Sequence, residues 1–181
     1  MWAAYIVYWW GMASKANTKE VERFEAAYSR IARTVLLITA ALLLSLDHIR
    51  VPLLEKRFLP AAAWPFWVGA AITAAGLLFS VWARVHLGVN WSQEVTIKQD
   101  HQLVTSGPYG LVRHPIYMGL MTAFLGSAIS RGEWRGLLAF ALVVVALWPK
   151  FRLEEKWMRE RFGESYETYS RRVAALVPHI F

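Results

Sequence analysis

Residues 59–83 hold no Asp, Glu, Lys or Arg. An uncharged run of that length is enough to cross the hydrocarbon core of a bilayer, roughly 30 Å thick, which takes about 20 residues of helix. Four shorter uncharged segments accompany it, at 1–14, 34–46, 115–130 and 136–149. The alternative is a soluble bundle with five buried helices, and a chain of 181 residues has too little interior for that. Composition agrees with a membrane protein: 56% of residues are hydrophobic and 18% are charged. Soluble domains usually carry about 25% charged residues. The ten Trp and seven Tyr suit the headgroup level, where amphipathic rings settle. With no cysteine there is no disulfide, thiolate metal site or thiol nucleophile. The formal charge of +7 is spread between apolar segments, which favours lipid headgroups over nucleic acid.

These features predict an all-α integral membrane protein, a single domain over 1–181, with about five transmembrane helices. The second span is expected to extend backwards through Val21, Phe24, Tyr28, Ile31 and Val35, an apolar stripe at helical spacing. Asn17 with Glu20 reads as a capping box that starts this helix near Thr18, with Arg30 and Arg33 snorkelling to the surface. Residues 131–135 join the last two segments as a tight helical hairpin. Five crossings put fifteen Lys and Arg on one side and five on the other. The positive-inside rule then makes the basic side cytoplasmic and the N-terminus external, in the inner membrane if the source is bacterial. Small residues set the packing: Gly69, Thr73, Gly76, Ser80 and Ala83 share one face, as do Gly119, Ala123, Gly126 and Ser130.

Polar chemistry gathers in three pieces on the basic side: residues 100–110, "DHQLVTSGPYG"; 113–119, "RHPIYMG"; and 150–173, which opens "KFRLEEKW". Val95–Ile97 and Leu103–Thr105 are expected to pair as a short hairpin before the Gly107-Pro108 turn. Pro115 suits a first helical position and puts His114 at a helix N-terminus, where free N–H groups favour an anion. Glu154 and Glu155 open an expected amphipathic cytoplasmic helix lying at the interface, with Phe162, Tyr166 and Tyr169 on its apolar face. Singly these are a helix cap, a solvated face and a headgroup contact.

In that order, however, the pieces resemble the isoprenylcysteine carboxyl methyltransferase family, with the phospholipid N-methyltransferases as relatives. The resemblance covers residues 87–178, the cofactor-binding catalytic half, and is looser over the N-terminal helices of 1–86. It rests on "HQLVTSGPYGLVRHPIYMG" followed, beyond an apolar hairpin, by "EE", "FG" and "Y..Y". It implies a membrane enzyme that uses S-adenosylmethionine and releases S-adenosylhomocysteine. It also implies a cofactor site at His101, Gln102, Leu103, Val104, Tyr109, His114, Pro115, Ile116, Tyr117 and Glu154, not a soluble dinucleotide fold. No G-x-G-x-x-G is present, as that implies.

Methyl transfer to a carboxylate needs positioning and desolvation and no general base, so no acid–base pair is assigned. The family usually has an arginine four residues before the matching glutamate. Here that position is Lys150, a point charge without the planar fork. Arg152 and Arg113 are the other cations proposed for a carboxylate acceptor. The expected acceptor is lipophilic, a small molecule or a prenylated chain, drawn from the surrounding membrane lipid, with no metal and no nucleic acid involved. The alternatives are an aminolipid N-methyltransferase with His101, His114 or a glutamate as base, a non-catalytic scaffold, and a membrane reductase on related helices.

Overall fold

The computed structural model describes residues 1–13, 21–46, 51–88, 96–98 and 103–178. In chain order the elements are α1 (Trp2–Ala13), β1 (Val21–Phe24), α2 (Ala27–Ser45), α3 (Pro52–Glu55), α4 (Ala63–Leu87), β2 (Thr96–Lys98), a 3₁₀ turn (Gly107–Gly110), α5 (Pro115–Arg131), α6 (Trp134–Phe162) and α7 (Glu164–Arg172). The chain is an all-α integral membrane protein with, among the described residues, one small strand pair. By length and composition α2, α4 and α6 are each able to cross a membrane. Helix α5 has 17 residues and α1 has 12. At about 1.5 Å per residue they reach roughly 26 and 18 Å, short of the full hydrocarbon thickness.

The outward faces are apolar. On α2, Tyr28, Ile31, Val35, Ile38 and Leu42 are all exposed. They recur at helical spacing, and in a bilayer that stripe meets acyl chains. The opposite face of α2 carries Leu37, Ala40 and Leu44 into a core with Tyr117, Phe124, Val143, Leu147 and Phe151.

Helices associate in lipid through close packing of small residues, because lipid supplies no hydrophobic drive between them. The seam between α4 and α5 follows that rule. Gly69, Thr73, Gly76, Ser80 and Ala83 are buried on α4, and Gly119, Ala123 and Gly126 on α5. A Cβ built on Gly76 would lie 2.5 Å from the Gly119 carbonyl oxygen and 2.6 Å from the Ala123 nitrogen. Polar contacts tie the seam: Thr73 Oγ1 of α4 donates to the Ala123 carbonyl of α5 (3.2 Å), and Trp2 Nε1 of α1 donates to Ser127 Oγ of α5 (3.0 Å).

The hairpin expected at 131–135 is present, and it closes the far end of α2. Arg131 donates to the carbonyls of Leu44 (2.6 Å) and Leu46 (2.8 Å), and Arg135 donates to Leu46 (2.7 Å). Cations there satisfy carbonyls that a helix end leaves unbonded and favour the helix dipole. Glu133 takes both guanidinium groups, at 3.3 and 2.5 Å.

Four expectations change. Val21–Phe24 is a strand, and α2 begins only at Ala27; the capping box at Asn17 and Glu20 lies outside the described residues. The partner of Thr96–Lys98 is that strand, antiparallel, and not Leu103–Thr105. Arg33 does not snorkel; it turns inward to Glu25. No new helix opens at Glu154. The last apolar helix runs unbroken past Pro149 to Phe162 and stops at Gly163, whose φ is +50°. Residues with a Cβ rarely adopt that conformation.

Candidate functional site

Two buried residues open α5. His114 stands at its N-cap position but makes no capping bond with its side chain. Its backbone N–H and that of Arg113 instead donate to the carbonyls of Ala175 (3.0 Å) and Ala174 (2.8 Å), just beyond α7. The RHP stretch is thereby clamped between α6, α7 and the C-terminal segment. The imidazole, released from capping, reaches both glutamates of α6: Nε2 lies 3.0 Å from Glu155 Oε1 and Nδ1 lies 3.5 Å from Glu154 Oε2.

The two carboxylates then part company. Glu155 is internal, its side chain 6% exposed, and is fully engaged. Arg113 grips it through Nε (2.8 Å) and Nη2 (3.1 Å), Tyr166 donates its hydroxyl (2.7 Å), and Arg159 closes from the same helix (2.9 Å). Arg113 also donates to the carbonyls of Ser170 (3.0 Å) and Val173 (2.5 Å). Glu154 is 27% exposed and takes the Tyr117 hydroxyl on one oxygen. A carboxylate has about four acceptor sites, so Glu154 keeps room for a ligand's donor.

Outside the spans, electrostatics follow from this geometry. Burial alone would push the His114 imidazole down, but hydrogen bonds to Glu154 and Glu155 outweigh it and hold the group above its ordinary range. Hydrogen bonds to the charged form favour that form. Burial lowers Arg113 as well, and the Glu155 contact more than reverses that. Tyr109 is pushed up by burial first and then by the nearby charge of Glu154.

The 3₁₀ turn supplies the facing wall. Gly107 has φ +59°, and a Cβ there would lie 2.7 Å from the His86 ring. Glycine is needed there for both backbone and space. His86, in the last turn of α4, bonds Ser106 Oγ (2.9 Å) and stacks on Tyr109 at 6.4 Å. Tyr169 of α7 donates to the Tyr109 carbonyl (2.6 Å). Tyr166 and Tyr169 thus face the site, where an interfacial helix was expected to face lipid.

The structure brings together Tyr109, His114, Pro115, Tyr117, Glu154 and Lys150, whose ammonium sits 5.4 Å over the Tyr117 ring. Ile116 packs into the core beside Tyr117, and Leu103 and Val104 are half-buried ahead of the turn. Arg152 is exposed. Two residues from both Lys150 and Glu154, it lies about 200° around α6 from each, at about 3.6 residues per turn. His101 and Gln102 lie outside the described residues. Sequence reasoning missed Glu25 and Arg33. Glu25 is 4% exposed ahead of α2 and bonds Arg33 Nη1 through both oxygens, at 2.5 and 2.7 Å. The signal was a charged pair eight residues apart at the mouth of an apolar helix.

Comparison with known proteins bears on the same residues. The profile of the phospholipid methyltransferase family matches residues 64–165. A protein-S-isoprenylcysteine O-methyltransferase of Schizosaccharomyces pombe is 38% identical over 104 residues, 54% of this chain and 43% of that one. Protein-S-isoprenylcysteine O-methyltransferase A of Arabidopsis thaliana is 30% identical over 162 residues, 84% of this chain and 81% of that one. Among solved structures, a eukaryotic intramembrane Ras methyltransferase, isoprenylcysteine carboxyl methyltransferase, matches with a TM-score of 0.60 and 25% identity, over 81% of this chain and 52% of that one. The chain therefore spans under half of the fission-yeast relative and about half of the solved structure. Sequence, fold and site order agree: the chain belongs to the phospholipid and isoprenylcysteine carboxyl methyltransferase family of integral membrane proteins.

Proposed function

We propose that this protein is a membrane-embedded methyltransferase that uses S-adenosylmethionine to esterify the terminal carboxylate of a prenylated, lipophilic acceptor. The observation that carries the reading is the division of labour between the paired glutamates. Glu155 is spent internally on Arg113, His114 and Tyr166, whereas Glu154 keeps an open side at the same end of the bundle as Lys150.

The residues fit S-adenosylmethionine. The open side of Glu154 suits an ammonium or ribose hydroxyls, with Tyr109, His114, Pro115, Ile116 and Tyr117 as the remaining wall and backbone groups of Leu103 and Val104 toward the adenine. When bound, this cofactor supplies a methyl group on an electron-poor sulfonium. The chain's own part is to hold, orient and dry. Lys150 lies where an acceptor carboxylate arrives from the apolar part of α6, next in the chain to the buried Phe151, whose ring packs edge-on with Trp148. Arg113 serves as a positioning residue, since its guanidinium is taken up by Glu155 and two carbonyls. Glu154 and Glu155 favour the charged form of His114, which argues against it as the base an amine acceptor needs.

The same reading takes all five apolar helices as membrane-embedded, N-terminus outside and site cytoplasmic, on the fifteen-to-five asymmetry of Lys and Arg, as the positive-inside rule directs. The test is S-adenosylhomocysteine binding to the detergent-purified protein, followed by methylation of an N-acetylated S-farnesylcysteine and of an aminolipid. Glu154→Ala is expected to weaken S-adenosylhomocysteine by about 1–3 kcal/mol, the usual effect of removing a buried polar partner. No binding by the wild-type protein would sink the assignment; methylation of the aminolipid alone would move it to the amine reading.

A further inference from the structure

We infer that Arg33 of α2 is an acceptor-binding residue, pairing its open guanidinium edge with the acceptor carboxylate opposite Lys150. This inference rests on the function proposed above.

Arg135 bonds the Leu46 carbonyl, which sets α2 beside α6 at that end. The two helices run antiparallel, so thirteen residues back along α2 from Leu46, at Arg33, the facing level on α6 is near residue 148. At about 1.5 Å per residue that level is roughly 20 Å along the axes from the Leu46 contact. Lys150 lies there. Arg33 also shares the inner face of α2 with Leu37, Ala40 and Leu44 by helical spacing. Those residues pack on the core containing Tyr117, Leu147 and Phe151. The Arg33 side chain is only 13% exposed. Lys150 and Arg33 both act on the Glu25 carboxyl: burial would raise it, but Arg33, Ser29 and the field of Lys150 hold it below the usual carboxylate range.

What Arg33 does with its donors is informative. A guanidinium has five N–H donors in a rigid fork suited to two-point binding of a carboxylate. Among the described residues, Arg33 hydrogen-bonds through Nη1, and to Glu25. The Nε–Nη2 edge is left for a carboxylate that is not the chain's own. Lys150 lacks such a fork, and Arg33 supplies it from a different helix. Glu25 is thus a resident carboxylate that holds Arg33 in place and competes for it.

The experiment reads KM for the N-acetylated S-farnesylcysteine and, separately, S-adenosylhomocysteine affinity in detergent. Arg33→Gln is expected to raise KM roughly tenfold or more, as loss of a charge-assisted hydrogen bond does, with S-adenosylhomocysteine affinity kept. Glu25→Gln removes the competitor and is expected to hold or lower KM. If Arg33 only props the structure through Glu25, both variants would raise KM alike, which overturns the inference. Unchanged KM in Arg33→Gln, in a wild-type enzyme that does methylate the prenylcysteine, overturns it alone. A wild-type protein that binds no S-adenosylhomocysteine, or methylates only amines, overturns the parent reading and this one together. Should Arg33→Gln not fold, Arg33→Lys keeps the charge without the fork and is expected to raise KM in the same direction.

Discussion

His114 sits between two glutamates, and that position decides how it answers to pH. Burial would lower its folded-state pKa, but the bonds to Glu154 and Glu155 more than reverse that and raise it above the ordinary 6.5. The stability this contributes is complete below pH 6.5 and is lost as pH rises through the folded value. The melting temperature in detergent is therefore expected to fall on the alkaline side, and the His114→Gln protein to show a flatter profile there. Glu155 tests a different property. Its removal leaves Arg113 buried without its counter-charge. Glu155→Ala is therefore expected to cost about 3–5 kcal/mol in thermal unfolding, against a small effect for Glu154→Ala. The sequence made the pair visible as a pair, and placed His114, Tyr117 and Glu154 in one site. It did not separate the two carboxylates, because adjacent residues differ by about 100° around a helix. Only the docking of α7 decides which of them is enclosed.

The elements show where local pattern suffices and where it fails. The small-residue faces of α4 and α5 were legible from spacing alone, since close approach in lipid demands them. At Gly76 an added side chain meets backbone that has no rotamer to change. Gly76→Val is expected to destabilise the protein by roughly 1–3 kcal/mol, measured by thermal unfolding in detergent. The stripe from Val21 to Val35 misled. Its first stretch, Val21–Phe24, pairs with a strand from a distant segment, and tertiary pairing overrides a helical period of so few turns. The end of α6 misled differently. A new helix was expected to open at Glu154, yet α6 runs on through Pro149, since a proline inside a membrane helix is tolerated where neighbours satisfy the freed carbonyl. The true stop is Gly163. The apolar face of α7 was seen correctly, but its partner is the site and not the bilayer.

At the scale of the whole molecule, α2, α4, α5 and α6 alternate in direction, so the starts of α2 and α5 and the ends of α4 and α6 share one end with α7. The polar cluster from Glu25 to Tyr169 lies there, and the Arg131–Glu133–Arg135 group at the other. The chain has no native cysteine, so single-cysteine labelling of intact vesicles is clean. A probe at Lys156 is expected to react only from the cytoplasmic side and one at Lys56 only from outside; reaction of both from one side would refute the alternating arrangement. The arginines that close α2 have a consequence for biogenesis. Leu46 receives a donor that is synthesised 89 residues later. Until the α5–α6 hairpin is made, α2 lacks the donors that close its last carbonyls. Only when the α5–α6 hairpin emerges does the earliest long span acquire its terminus. A chain truncated before residue 131 is therefore expected to leave the last carbonyls of α2 without these donors.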